Sequence, residues 1–163
     1  MPIIALLIFA LDRLMKMWTY DYLRTVRDGS MPVLENILHL TYAQNEGMSF
    51  GLFSGNREVL LMISGGLCVV LLIILFFARN SAPFLRFLGW AALGAALGNL
   101  YDRLRFGFVI DMFEIRLFRF AIFNVADTVL CICAACVCLY ILFGSGRTDG
   151  KTVKKSGAYR SRA

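Results

Sequence analysis

An uncharged run of apolar residues from Val59 to Ala78 constrains this chain more than any other feature. A helix needs about 20 mainly apolar residues to cross the hydrocarbon core of a membrane. Segments 2–23, 83–101 and 125–143 are similarly long and mostly apolar. Because 59% of the 163 residues are hydrophobic, a water-soluble core of this size is too small to bury all of these segments. We therefore expect a mainly α-helical membrane protein with four transmembrane helices.

The positive charges predict how these helices are oriented. The net charge is +6, and the segment after Phe143 is rich in lysine, arginine, glycine and serine. Cytoplasmic segments carry an excess of lysine and arginine, and such polar sequences stay disordered. We expect a membrane domain over 1–143, a disordered basic tail over 144–163, and both termini in the cytoplasm. The tail lacks the aromatic platform of a nucleic-acid-binding surface, so we expect no nucleic-acid partner.

The first apolar segment is interpreted as a helix that is retained rather than as a signal peptide. It has no basic leader, it carries Asp12, and it shows no clear cleavage site with small residues.

Residues 28–55 differ in character from the apolar segments. Glycines and Pro32 interrupt them, and residues 37–42 are rich in strand-forming side chains. We expect a small β platform on the extracytoplasmic membrane surface, between the first two helices. Within this platform, Asn45 and Gly47 are consistent with a binding loop or with a simple tight turn, and the residues alone leave both open.

The first helix carries an acid and a base at helical spacing. Asp12 and Lys16 are four residues apart and can pair on one face. Charges at membrane depth are seldom found without a partner, so we interpret the pair mainly as a structural ion pair that shapes a site. Arg13 is about 100° away around the helix and is expected to lie outside the pair.

The third helix combines a packing face with polar residues near its end. Gly94 and Gly98 are spaced for close approach of another helix. Asn99 and Arg103 share a face, with Asp102 three residues beyond Asn99. This end of the helix bundle would offer an amide and a guanidinium to a bound group.

Two aspartates beside apolar sequence are the candidate catalytic residues. Asp111 and Asp127 flank an arginine-rich loop and could converge on one site. Close carboxylates push each other's proton affinities apart, so one can act as an acid and the other as a base in hydrolysis. A structural alternative stays open for Asp127, because Asn124 would cap the fourth helix and Asp127 would stand at its third position.

The five cysteines are interpreted as small apolar packing residues of the second and fourth helices. Thiolates at membrane depth are costly, and no histidine stands near them. Since no cluster with metal-ligand spacing is visible outside the apolar segments, we expect neither a metal nor a cofactor. The cysteines are Cys68, Cys131, Cys133, Cys136 and Cys138.

Five motifs in this order resemble the bacterial lipoprotein signal peptidase family, signal peptidase II. These are residues 12–16, 45–51, 98–103, 109–113 and 123–127. The resemblance implies a four-helix aspartyl protease of the inner membrane that cleaves diacylglyceryl-modified prolipoproteins before the lipidated cysteine. It implies that Asp111 and Asp127 form the catalytic dyad. Residues expected to bind substrate or support the site are Asp12, Lys16, Asn45, Gly47, Asn99, Asp102, Arg103, Asn124 and Ala126.

Some positions depart from the family pattern. Met15 stands where the family commonly has a threonine, and Met48-Ser49 replaces a usual pair of small residues. These departures put substrate fit in question more than chemistry, because neither aspartate is affected.

The expected reaction is peptide hydrolysis near the outer membrane face. We expect the enzyme to be a monomer that acts on prolipoprotein and is surrounded by membrane lipid. The sequence does not decide which aspartate is the base, because a coupled pair titrates as a unit. Two other functions remain as alternatives. One is a small thiol oxidoreductase that uses the cysteines, and the other is a proton-coupled transporter that uses the membrane-embedded acids.

Overall fold

A computed structural model of the protein describes residues 1–47, 53 and 55–144. The predicted basic tail lies outside the described residues except for its first residue, Gly144, which ends the last helix. Residues 48–52 and 54 of the predicted platform also lie outside the described residues. The long helices are α1 (Pro2–Tyr22), α2 (Arg57–Phe77), α3 (Pro83–Arg105) and α4 (Val125–Gly144), and the strands are β1 (Ser30–Leu34), β2 (Leu38–Asn45) and β3 (Val109–Ile115).

The predicted helix positions are confirmed with one correction. The third helix continues past the expected end at Tyr101 to Arg105. The prediction stopped where the apolar run stops. The helix continues because the buried Asp102 and the partly buried Arg103 find partners inside the protein, as described below.

Helix α3 is the centre of the bundle, because α1, α2 and α4 all pack against it. Its predicted small-residue face is confirmed. A Cβ atom at Gly94 would collide with the backbone of Ala5 in α1, and one at Gly98 would collide with the carboxylate of Asp12. The absence of side chains at these two positions brings α1 close enough for its charged residues to reach α3.

Two of the helices are long and apolar enough to cross a membrane. They cover Arg57–Asn80 and Val125–Phe143, with mean hydropathies of 3.0 and 2.4. Most of their side chains point away from the protein interior, including Phe77 and Phe143, which are 80% and 78% exposed. Helices α1 and α3 are of similar length but contain the buried polar residues of the site.

The strands form one antiparallel sheet in the order β1-β2-β3. The predicted strand over residues 37–42 is confirmed as β2. The platform was expected to come from residues 28–55 alone, and this is a correction, since its third strand is contributed by residues 109–115 between α3 and α4. Val109, Ile110 and Met112 are all buried, so this strand shows no alternation of apolar and polar residues.

Alanine at Gly94 should destabilise the protein, because its Cβ atom would force α1 away from α3. We expect Gly94→Ala to cost about 1–3 kcal/mol of unfolding free energy. Gly66→Ala is the matched control, since a Cβ atom there meets nothing within 4 Å and alanine favours a helix. Thermal unfolding of the purified proteins in detergent measures both. Equal unfolding temperatures for the two variants would contradict the close contact.

Candidate active site

The candidate active site lies where the sheet meets the end of α3 and the start of α4. Asp111 sits on β3, opposite Ala43 of β2, and is 1% exposed. Asp127 lies in the first turn of α4 and is only partly buried. The sheet therefore supplies one carboxylate and the helix supplies the other.

Asn124 contacts both aspartates. Its carboxamide oxygen accepts a hydrogen bond from the backbone N–H of Asp127 at 2.9 Å. The backbone N–H of Asn124 donates in return to Asp127 Oδ2 at 3.3 Å. This reciprocal pair is the helix cap that the sequence left as an alternative. Asn124 Nδ2 also donates to Asp111 Oδ1 at 2.6 Å. The cap thus fixes the two carboxylates relative to each other.

Asn45 reaches the same site from the end of β2. Its Nδ2 donates to Asp111 Oδ2 at 2.9 Å, while its Oδ1 accepts the N–H of Gly47 at 3.1 Å. The residue therefore makes both the tight turn and the site contact that the sequence offered as alternatives. Gly47 is held in turn by Arg103, whose Nη2 donates to its carbonyl oxygen at 3.0 Å.

Asn99 and Arg103 reach the site from one face of α3, as their spacing predicts. Asn99 Nδ2 donates to Asp127 Oδ1 at 2.9 Å. Arg103 bridges two elements, because its other amino group donates to Ser64 Oγ of α2 at 3.1 Å. These contacts tie α2, α3 and the end of β2 together around the aspartates.

A cluster of charged side chains lies behind the two aspartates, at the α1–α3 contact. The Lys16 ammonium is 2.8 Å from Asp12 Oδ2 and 3.0 Å from Asp102 Oδ2, and it donates to Asn99 Oδ1 at 2.7 Å. Lys16, Asp12 and Asp102 are completely buried. As expected, Arg13 makes no contact with Asp12, but it pairs with the other side of Asp102 and so extends the cluster.

The carboxylates of this cluster also hold the backbone of the site. Asp12 Oδ1 accepts the N–H of Ala126 at 3.0 Å, and Asp102 Oδ2 accepts the N–H of Ile110 at 3.2 Å. Ala126 immediately precedes one candidate aspartate, and Ile110 immediately precedes the other. The buried charges therefore position the chain on both sides of the site.

The environment of Asp111 changes its proton affinity. Burial, followed by the negative charge of Asp127, raises the pKa of Asp111 to about 7. Hydrogen bonds from Asn124 and Asn45 act in the opposite direction. Asp111 is consequently protonated below about pH 7, when an ordinary aspartate is ionised.

A cavity of about 620 Å³ opens beside these residues, between α2 and α4. Its polar end is formed by Asn45, Asn99, Arg103 and Asp127. Apolar side chains line the remainder. They come from α2, from α4, from β3 and from the loop before α4, and include Ile63, Leu67, Leu130, Ile132, Ile115 and Phe120. The site can therefore hold a group that is polar at one end and apolar at the other.

The cysteines fall into two groups by exposure. Cys68 and Cys133 are buried in apolar clusters, which confirms their interpretation as packing residues. Cys131 and Cys138 are exposed, and Cys136 is partly buried. Cys131 lines the cavity. Within the part of the chain that the structure describes, no three histidine, cysteine or acidic residues come together as metal ligands.

Sequence reasoning missed two contributors to the site. Arg13 was set aside because it is not on the face of Asp12 and Lys16, but Asp102 lies between the two basic side chains and pairs with both. Ser64 was not considered, although a lone hydroxyl within an apolar run is itself an unusual feature. Its hydroxyl oxygen accepts a hydrogen bond from Arg103, and the residue lines the cavity.

Comparison with solved structures identifies the same architecture in two bacterial membrane enzymes. Their structures were determined by the in meso method at 2.3 and 1.9 Å resolution. The first has a TM-score of 0.79 at 23% identity, and the alignment covers 90% of this chain and 89% of the other. The second has a TM-score of 0.73 at 25% identity, with coverages of 86% and 91%. The fold is therefore shared with known membrane enzymes.

Sequence relatives point to one family. A protein of Clostridioides difficile named lipoprotein signal peptidase is 34% identical over 141 residues, which is 86% of this chain and 93% of the relative. One from Trichormus variabilis with the same name is 37% identical over 138 residues, or 84% and 85% of the two chains. The family model described as signal peptidase (SPase) II matches residues 4–143. The resemblance in the five motifs is thus confirmed, and the chain belongs to the signal peptidase II family of membrane proteases.

Proposed function

We propose that this protease removes signal peptides from diacylglyceryl-modified prolipoproteins by aspartyl hydrolysis, cleaving before the lipidated cysteine. The catalytic dyad of this proposal is Asp111 and Asp127. The observation that carries the proposal is that Asn124 binds both carboxylates beside a cavity with a polar and an apolar end. Membership of the signal peptidase II family supports this reaction over a thiol oxidoreductase or a proton-coupled transporter.

The cavity supports a lipid-modified peptide as substrate. Two of the elements that form its apolar wall, α2 and α4, are themselves apolar enough to lie in a membrane, so acyl chains can occupy it without leaving hydrocarbon. The scissile peptide would then lie at the polar end, where Asp127 and Asn99 line the cavity. Arg103 lines the same end and supplies a positive charge beside the dyad.

In the mechanism we propose, the dyad holds one proton, on Asp111. The ionised Asp127 removes a proton from a water molecule, and the resulting hydroxide attacks the scissile carbonyl carbon. Asp111 donates its proton to the carbonyl oxygen, so that a neutral tetrahedral diol forms. The C–N bond then breaks as Asp127 passes its proton to the leaving nitrogen, and Asp111 regains a proton from the diol. Each carboxyl group ends in its starting state.

The asparagines stabilise this distribution of charge. Asn99 donates to Asp127 Oδ1, and the backbone of Asn124 donates to Asp127 Oδ2. Hydrogen bonds to a carboxylate favour its charged form. Asp111 also receives amide hydrogen bonds, but it is buried, and burial favours its neutral form.

We further propose that all four helices span the inner membrane of a monomeric enzyme, with both termini cytoplasmic. Helix α1 exposes large apolar residues along its length, such as Leu7 and Leu14, while Arg13 and Lys16 pair with Asp102 of α3. The loop after β3 exposes Leu117 and Phe118 beside Arg116, a combination suited to the outer membrane interface. Residues 1–143 would form the protease and residues 144–163 a cytoplasmic tail.

Asparagine at either dyad position should abolish cleavage while leaving the protein folded. Asp127→Asn can still cap α4, but an amide cannot take a proton from water, and Asp111→Asn cannot donate an acidic one. We expect each variant to lose on the order of 10⁴-fold in kcat. Cleavage of a diacylglyceryl-modified prolipoprotein in detergent micelles measures this loss, with circular dichroism as the check on folding.

The matched control for the dyad is Glu114→Gln, which alters a partly exposed carboxylate on the same strand as Asp111. This variant should retain the turnover of the parent enzyme. Near-parental turnover in Asp111→Asn or Asp127→Asn would remove that residue from the dyad.

The raised pKa of Asp111 predicts an alkaline limit to activity. Its pKa of about 7 means that the proton required by the mechanism is present below about pH 7 and lost above it. We expect kcat/KM to fall as the pH rises through 7, approaching about tenfold per pH unit. Thermal unfolding at each pH separates this effect from loss of the fold. A constant kcat/KM up to about pH 9 would contradict the assignment of the acid to Asp111.

The proposed orientation predicts which loops a membrane-impermeant maleimide can reach. In a background without native cysteines, Arg119→Cys should be labelled in intact spheroplasts, because the loop after β3 would face outward. Asn80→Cys, between α2 and α3, should be labelled only after lysis. Both side chains are exposed in the structure, so only the membrane protects one of them. The reverse labelling pattern would overturn the orientation.

A further inference from the structure

Three asparagines donate amide hydrogen bonds to the dyad, and in each one the carboxamide oxygen is occupied by a donor. The oxygen of Asn45 accepts the N–H of Gly47, and the oxygen of Asn124 accepts the N–H of Asp127. Since the oxygen is occupied, the amino group must face the carboxylates. In these two residues the donor is a backbone group of the adjacent turn.

Asn99 differs, because its oxygen accepts a hydrogen bond from a side chain on another helix. Lys16 Nζ of α1 donates to it at 2.7 Å, and Asn99 is itself 8% exposed. Asn124 Nδ2 is a second donor to the same oxygen, at 3.2 Å, so the contact with Lys16 is the shorter of the two and the one that carries a charge. An ammonium group has donors only. If the carboxamide were flipped, its amino group would face the ammonium and its oxygen would face Asp127. Both contacts would be repulsive, so Lys16 permits only the orientation in which Nδ2 donates to Asp127.

The Lys16 ammonium is enclosed by acceptors. It donates to Asn99 Oδ1, and it forms ion pairs with Asp12 Oδ2 and Asp102 Oδ2. The side chain is completely buried. Because both carboxylates are anchored to backbone N–H groups, the ammonium is held at a fixed point relative to the site.

We propose that Lys16 is a positioning residue that acts through Asn99. It fixes the polarity of the Asn99 carboxamide and thereby holds the Asp127 carboxylate in the geometry for taking a proton from water. This inference rests on the proposed function, and it assigns to Lys16 more than the structural ion pair that its spacing with Asp12 indicates. Lys16 does not contact the cavity, so its loss affects kcat rather than KM.

Two double variants with identical charge separate this role from that of the ion pair. Asp12→Asn/Lys16→Gln and Asp12→Asn/Lys16→Met each remove one positive and one negative charge. In both, the asparagine can still accept the N–H of Ala126. Glutamine can donate to Asn99 Oδ1, whereas methionine, of similar length, cannot. The comparison therefore isolates the hydrogen bond to Asn99.

We expect the variant with methionine to have a kcat about tenfold below that of the variant with glutamine, because the loss of the hydrogen bond to Asn99 Oδ1 has an effect of this order. Their KM values should agree within about twofold. Cleavage of diacylglyceryl-modified prolipoprotein in micelles gives both constants. Equal kcat values in two folded proteins would overturn the proposal and leave Lys16 as half of an ion pair.

Asn99→Asp tests the same point without disturbing the charged cluster's residues on α1. The isosteric carboxylate can still accept from Lys16, so the protein should remain folded, but it presents an oxygen rather than an amino group to Asp127. We expect kcat to fall at least about tenfold, because two carboxyl groups then face each other, and circular dichroism checks that the protein is folded. Parental kcat in this variant would overturn the proposal even if the double variants fail to fold.

Failure of this inference is distinguishable from failure of the proposed function. Active Asp111→Asn and Asp127→Asn variants would refute aspartyl hydrolysis itself. If those variants are inactive while the two double variants have the same kcat, only the positioning role of Lys16 is wrong.

Discussion

The buried ammonium of Lys16 is the interaction on which the rest of the site depends. A charged group that is buried away from water is stable only when it is paired. Here two carboxylates and an amide oxygen surround the ammonium of Lys16. The same carboxylates bind the backbone at Ala126 and Ile110, next to the two candidate catalytic residues. Removing one member would leave the others uncompensated, so the cluster imposes a single arrangement of α1, α3, β3 and α4.

Close helix packing makes this cluster possible. The carboxylate of Asp12 lies where a side chain at residue 98 would be, and the α1 backbone lies against residue 94, so glycine at both positions is a condition for the contacts of Lys16. In a membrane, apolar side chains gain little by leaving lipid for a helix interface. Small residues and buried polar contacts therefore determine how helices associate. The two features are found on the same face of α3.

The proposed chemistry follows from an asymmetry between two carboxyl groups. Asp111 is enclosed by the sheet, and burial raises its pKa, whereas Asp127 borders the cavity at the first turn of a helix. The difference allows one group to hold a proton while the other accepts one. Asn124 connects the two, so its role as a helix cap is compatible with the proposed catalytic role of Asp127. The cap makes the geometry of the dyad part of the fold.

The sequence alone determined the four helices, because the apolar runs match the length of a membrane span, and the pairing of Asp12 with Lys16, because four residues make about one helical turn. It also indicated both aspartates and the cap at Asn124. Only the tertiary structure shows that β3 completes the sheet, that Arg13 joins the charged cluster, and that Lys16 donates a hydrogen bond to Asn99. These features depend on contacts between residues more than 60 positions apart, such as the 83 positions between Lys16 and Asn99. Helical and strand periodicities describe only neighbours along the chain, so such contacts become visible only when the helices are packed against one another.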